Sequence, residues 1–223
     1  MRRYLPVIIV GAVALLTLGS AAMLYRAKRL PVLTSKNNQA ASGMDATGPM
    51  HVLGPLSAPV TIEEFGDFEC PPCGVLSEPI NQLEHDYQSR LCVIFRQFPL
   101  TIHQHAHEAA LASEAAGLQG RFWQMHDVLY REQPVWRNAA DVRPLFNIYA
   151  GTVGLDIDRF NKDIESDEVK RRVAADQQQG TRLGVTVTPT IFLNNRAVPA
   201  AAANPAGLRA AVEAAMSVKS PHS

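Results

Sequence analysis

A chain of 223 residues suits one or two domains and is long enough to bury a substantial core. Lys+Arg and Asp+Glu both number 21, so a net charge of zero gives no electrostatic footing for a nucleic-acid partner. Hydrophobic residues make up 47%, an ordinary globular share, so function must lie in local chemistry.

Arg2 and Arg3 precede an uncharged run from Leu5 to Tyr25, and Arg26, Lys28 and Arg29 follow it. About 20 helical residues cross a bilayer core, so the run is long enough to span. Residues 1–30 read as a signal anchor. The alternative is a signal peptide cleaved near Gly19-Ser20-Ala21. Either reading sends the remainder out of the cytoplasm, tethered to the inner membrane in the first case and secreted in the second. Residues 31–57, with Pro31, Ser35, Asn37, Asn38, Gly43, Gly48 and Pro49, show no sustained apolar period and read as a flexible linker. Such a linker spans about 30 Å root-mean-square.

Pro59 to Phe65 is rich in β-branched residues and predicts a strand. Leu76, Ile80, Leu83 and Tyr87 then recur on one face of a helix, which Pro79 should bend or break. Leu91 to Phe95 predicts a second strand, parallel to the first as in a βαβ unit. Residues 100–180 change character. Helices are expected over Ala106–Leu118, through Phe122, Met125, Val128 and Leu129, and over Asp141–Tyr149, Asp156–Glu165 and Asp167–Gln178. Each of the last three opens on an acidic residue suited to an N-terminus. A strand returns at Thr190–Leu193, Asn194-Asn195 suits a hairpin turn to a short strand beginning at Ala197-Val198, and Pro205–Met216 closes the chain as a helix. The expected architecture is α/β: an inserted helical domain, 100–180, interrupts a domain made of 58–99 and 181–218.

Between the first strand and its helix lies Cys70-Pro71-Pro72-Cys73. A helix N-terminus offers unpaired N–H groups and a partial positive charge, so a thiolate there is favoured. Reactive cysteines in such settings fall from about 8.5 to roughly 3.5–7.5 in pKa. The helical register puts Cys70 at the exposed tip as nucleophile and Cys73 one turn inward as the resolving thiol. Pro71 and Pro72 stiffen the ring that a Cys70–Cys73 disulfide would close. A structural zinc needs about four ligands, and the one other cysteine, Cys92, sits mid-strand as a buried small hydrophobe. An inert staple over so short a loop would constrain the unfolded chain little. Redox exchange is the reading these residues favour.

With these elements in place, the chain resembles the DsbA-like branch of the thioredoxin superfamily over roughly residues 52–218. The resemblance rests on Val60 to Cys73 (VTIEEFGDFECPPC), Phe95 to Leu100 (FRQFPL), Gly120 to His126 (GRFWQMH) and Gly184 to Thr190 (GVTVTPT). It implies a thioredoxin-like fold with an inserted helical domain, Cys70 and Cys73 as catalytic pair, and Pro189 as a cis proline facing them. Thr188 would join Pro189 in offering backbone to a client peptide. It further implies that Glu64 is the acid beneath the site that moves the inner thiol's proton. Alternation alone says only that Glu63 and Glu64 point to opposite faces of their strand. Family members often carry histidine where this chain has Pro72, so oxidase, reductase and isomerase directions stay open.

The implied activity is extracytoplasmic thiol–disulfide exchange with cysteine-containing client proteins, needing a redox-recycling partner and no organic cofactor. The alternative is a tethered thioredoxin-like module that carries Cu(I) or zinc on its thiols. His103, His105 and His107 form an alternating triplet that reads as a polar approach to a helix rather than a metal site. Phe122, Trp123 and Met125 read as core.

Overall fold

The computed structural model describes residues 51–218. The apolar run at Leu5–Tyr25 and the linker as far as residue 50 lie outside the described residues. Among those described, no helix is long and apolar enough to cross a membrane.

Five strands and eight α-helices are described. The strands are β1 (His51–Leu53), β2 (Val60–Gly66), β3 (Leu91–Gln97), β4 (Thr190–Leu193) and β5 (Arg196–Ala197), in spatial order β1-β3-β2-β4-β5. β2 and β3 are parallel, joined by α1 (Pro71–Tyr87) as the βαβ pattern required; all other pairs are antiparallel. Between β3 and β4 come α2 (Ala106–Gly117), α3 (Phe122–Arg131), α4 (Gln133–Trp136), α5 (Arg143–Thr152), α6 (Ile157–Ile164) and α7 (Asp167–Arg182). The last helix is α8 (Pro205–Val218). The α/β class and the helical insertion are as expected.

Local sequence explains most boundaries. Asp156 caps α6 by accepting from the Arg159 amide at 2.9 Å, as an N-terminal acid should. For α7 the cap is Ser166, one residue ahead of the predicted acidic start. Asn194 and Asn195 adopt φ of +48° and +62°, the left-handed pair a tight hairpin needs. Two expectations need correcting. Pro79 does not break α1: it sits inside one continuous helix, where it cannot donate to the carbonyl of Val75, an exposed residue. And His51–Leu53, placed in the linker, is a strand. Three residues are too few for an alternation signal. They are held by tertiary contacts: the His51 ring stacks on Phe122 at 3.3 Å, His51 Nε2 lies 2.8 Å from Glu114 Oε1, and the Trp123 indole donates to the Val52 carbonyl at 3.2 Å.

The sheet's two faces are distinct. Val60, Ile62 and Ile191 pack against Leu76, Ile80 and Leu83 of α1 and Leu208, Val212 and Met216 of α8. On the other face Phe65 packs with Phe98 and Val185, close to Gly180 of α7, where a methyl group would come within 2.7 Å of the Phe98 ring. The helical insertion does not have a core of its own. Phe68, Cys70, Cys73 and Phe95 share one apolar cluster with Met125, Leu129, Trp136, Phe146 and Phe160. The helices of 100–180 thus form one wall of the CPPC turn.

Candidate active site

The turn that carries the cysteines is built around a buried carboxylate. Asp67 Oδ1 accepts from the Glu69 amide at 2.8 Å, while Oδ2 accepts from the Leu100 amide at 2.9 Å and lies 2.7 Å from His103 Nδ1. The Cys70 amide donates to the Asp67 carbonyl at 3.1 Å. Asp67 therefore ties the CPPC turn to the loop after β3. Replacing Asp67 with alanine would strand those donors, and we expect a loss of about 3 kcal/mol in unfolding free energy, read from denaturant midpoints. Gln133 of α4 holds the turn from the other side, its amide donating to the Phe68 carbonyl at 2.6 Å and the Cys70 carbonyl at 3.0 Å.

Cys70 caps α1 with extended backbone (φ −71°, ψ 117°), and Pro71 and Pro72 fill the first two helical positions. The prolines remove the two N–H groups nearest the sulfur. The Cys70 thiol reaches the Thr188 carbonyl at 3.3 Å, and the Thr188–Pro189 peptide is cis. Cys70 retains 4% of its surface and Cys73 none. The order expected from helical register holds, but Cys70 is not a projecting tip. The Thr188-Pro189 loop lies beside its sulfur, a long-range contact that helical register cannot foresee.

The two thiols differ in acidity. Cys70 is lowered from 9.0 to about 6, chiefly by the hydrogen bond from the Cys73 thiol, helped by Thr188 and the Cys73 backbone, against desolvation and the Asp67 charge. Cys73 is pushed well up by burial first, then by Cys70 and Glu64. Glu64 lies on the α1 face of β2, nearly fully buried, with no hydrogen-bond partner for Oε1, and burial followed by the Cys70 charge lifts it from 4.5 to about 8. Glu63 points the other way, to Arg96 at 2.9 Å.

The structure thus brings together Cys70, Cys73, Pro71, Pro72, Thr188, Pro189 and Glu64. It does not gather the histidines: His103 turns to Asp67, whereas His105 lies 3.1 Å from Glu108 and 2.9 Å from the Ala139 carbonyl. Among the described residues no group of three or more His, Cys, Asp or Glu is placed to hold a metal. Cys92 is fully buried in β3. Sequence reasoning missed Asp67 and Gln133. Asp67 lay inside a quoted motif; Gln133 carried no local signal. Val75, Ile102, Val135 and Val187, each within a few residues of a site group in the chain, are exposed apolar side chains.

The Thioredoxin family model matches residues 46–214. Among solved structures, BdbD from Bacillus subtilis superposes with a TM-score of 0.66 at 24% identity, covering 75% of this chain and 93% of that one. Wolbachia pipientis alpha-DsbA1 gives 0.63 at 19%, covering 76% and 92%. A thioredoxin-like oxidoreductase from Silicibacter pomeroyi gives 0.59 at 25%, covering 75% and 92%. Among curated proteins, Na(+)/H(+) antiporter NhaA 3 of Salinispora tropica is 42% identical over 147 residues, 66% of this chain and 22% of that protein. Antiporter NhaA 1 of Mycolicibacterium gilvum is 38% identical over 149 residues, 66% and 23%. The chain spans about a fifth of the length of these curated relatives.

Proposed function

We propose, from the premise that this chain belongs to the thioredoxin family and has the DsbA-like fold, that it is an extracytoplasmic protein thiol–disulfide oxidoreductase exchanging a Cys70–Cys73 disulfide or dithiol with client cysteines. The observation that carries this is the pairing, in one helical turn, of a thiol lowered to about 6 with a shielded thiol pushed up above an acid at about 8.

In the oxidising direction a client thiolate attacks the Cys70 sulfur. The Cys70–Cys73 bond breaks, Cys73 leaves as thiolate, and protonated Glu64 returns a proton to it. The client's second thiolate then attacks its own sulfur in the mixed disulfide, and Cys70 departs as a stable thiolate. The client loses two electrons and two protons, which the Cys70–Cys73 dithiol takes up, to be removed later by a redox-recycling partner. In the reducing direction Cys70 attacks a client disulfide, and Cys73 releases the client by closing the Cys70–Cys73 bond. The exposed apolar side chains of Val75, Ile102, Val135 and Val187, close in the chain to site residues, suit contact with an unfolded client segment.

A signal anchor at 1–30, a linker through 50 and a catalytic body in which 100–180 is the inserted domain complete the reading, with the body on the periplasmic side. In the curated relatives, named as antiporters, a module similar to this chain forms part of a much longer protein, which supports a membrane-side setting. A Cu(I) or zinc carrier is the competing class, and metal content of freshly purified protein separates the two.

The test is alkylation of the reduced protein by iodoacetamide across pH. Cys70 should label with a midpoint near 6, leaving it about nine-tenths ionised at pH 7. A midpoint near the 8.5 of a free thiol would refute the reading.

A further inference from the structure

The α1 face of β2 holds two buried polar atoms without a hydrogen-bond partner: Glu64 Oε1 and the Tyr130 hydroxyl. They come from elements far apart in sequence, β2 and α3 of the helical insertion. Gly66 is two residues beyond Glu64 on the same face. A methyl group placed on Gly66 would stand 3.1 Å from the Tyr130 oxygen and 2.4 Å from the Phe95 ring. Tyr130 thus reaches over the one position of β2 that lacks a side chain, and its oxygen arrives on the face where Glu64 lies. Glu64 is flanked on the adjacent strands by Phe95 and Ile191, and Tyr130 packs on Phe68 at 4.9 Å and on the edge of His126 at 4.9 Å. The charges that act on the Tyr130 hydroxyl are, in order, those of Cys73, Glu64, Asp67 and Cys70, and its pKa is pushed far above the ordinary phenol range, burial being the larger cause. It therefore stays protonated and can act only as a neutral donor toward an anion.

We propose that Tyr130 is a positioning residue for the resolving thiol: its hydroxyl donates, across one water, to whichever of Glu64 and Cys73 carries the negative charge. This deepens the oxidoreductase reading and rests on it. In the resolving step the Cys73 thiol gives its proton to the Glu64 carboxylate. The Cys73 thiolate attacks the Cys70 sulfur, the bond from Cys70 to the bound thiol breaks, and that thiol leaves as thiolate. Tyr130 neither gains nor loses a proton; it lowers the cost of a buried anion at both ends of the transfer. The helical insertion thereby supplies part of the proton path as well as a wall.

The experiment uses a preformed mixed disulfide between Cys70 and thionitrobenzoate, whose coloured release reports attack by Cys73 without any client protein. Tyr130→Phe should slow release about 3- to 10-fold at neutral pH and move the midpoint of its pH profile up by about one unit, while alkylation of Cys70 keeps its midpoint. Ring-fluorinated tyrosine at 130, a stronger donor, should move release the opposite way. Unchanged release in Tyr130→Phe overturns the proposal, as does an equal shift in the Cys70 midpoint, which would mark a packing role. If client exchange fails while release keeps its dependence on Tyr130, the proton-path role stands and the client reading falls.

Discussion

Replacing Cys73 with alanine is expected to turn a turnover catalyst into a trap. Cys70 can still attack a client disulfide, but no second thiol is left to expel the client, so mixed disulfides should accumulate on Cys70 and appear as adducts on non-reducing gels. Multiple-turnover exchange should fall at least about 100-fold. A second effect follows from the electrostatics. The Cys73 thiol is the largest single influence holding Cys70 near 6, so its removal should raise the Cys70 midpoint and slow capture at pH 6 to 7 more than at pH 9. The fold should tolerate the change, since a fully buried cysteine shortened to alanine leaves a small cavity costing about 1 kcal/mol. Turnover retained in Cys73→Ala, with no adducts, would exclude a two-thiol mechanism.

Glu64→Leu is expected to stabilise the reduced protein, increasingly so as pH rises. The Glu64 carboxyl is raised from 4.5 to about 8 by burial. Between those values the folded chain holds a proton that the unfolded chain has released, so this group makes stability fall as pH rises through that window. By pH 7 the accumulated cost is roughly 3 kcal/mol. Leucine removes the titration and keeps approximate volume. Urea midpoints should therefore rise little near pH 5 and strongly near pH 8. An equal gain at both would show that the carboxyl does not titrate in that window. The same variant should slow resolution by Cys73, which loses its proton acceptor. A carboxyl kept at a site where it destabilises the fold is what a proton-transfer role would require.

These expectations divide according to how far apart the interacting residues lie in the chain. The CPPC turn between β2 and α1, the parallel β2–β3 pair and the asparagine hairpin all follow from short-range chemistry: branched residues, helical spacing, and a turn that needs left-handed backbone. Glu64 was legible only in part. Alternation separates it from Glu63, but which of the two faces the thiols depends on where α1 packs. β1 escaped notice because its stability comes from Phe122, Trp123 and Glu114, some sixty to seventy residues away.

The amino-acid order by itself determined that two thiols open a helix after a buried strand, with a late Thr-Pro and a helical insertion between the halves. Only the tertiary structure decided what surrounds those thiols. Asp67 is bonded by Leu100 and His103, Gln133 holds the Cys70 carbonyl, Thr188 covers the Cys70 sulfur, and Tyr130 sits over Gly66. The physical reason is that secondary structure arises from contacts within a few residues, which leave periodic traces in a sequence. A thiol's acidity is set by burial and by individual donors within hydrogen-bond reach. For Cys70 the largest donor, Cys73, lies three residues on, but the burial and the Thr188 contribution exist only once distant segments have folded around the turn.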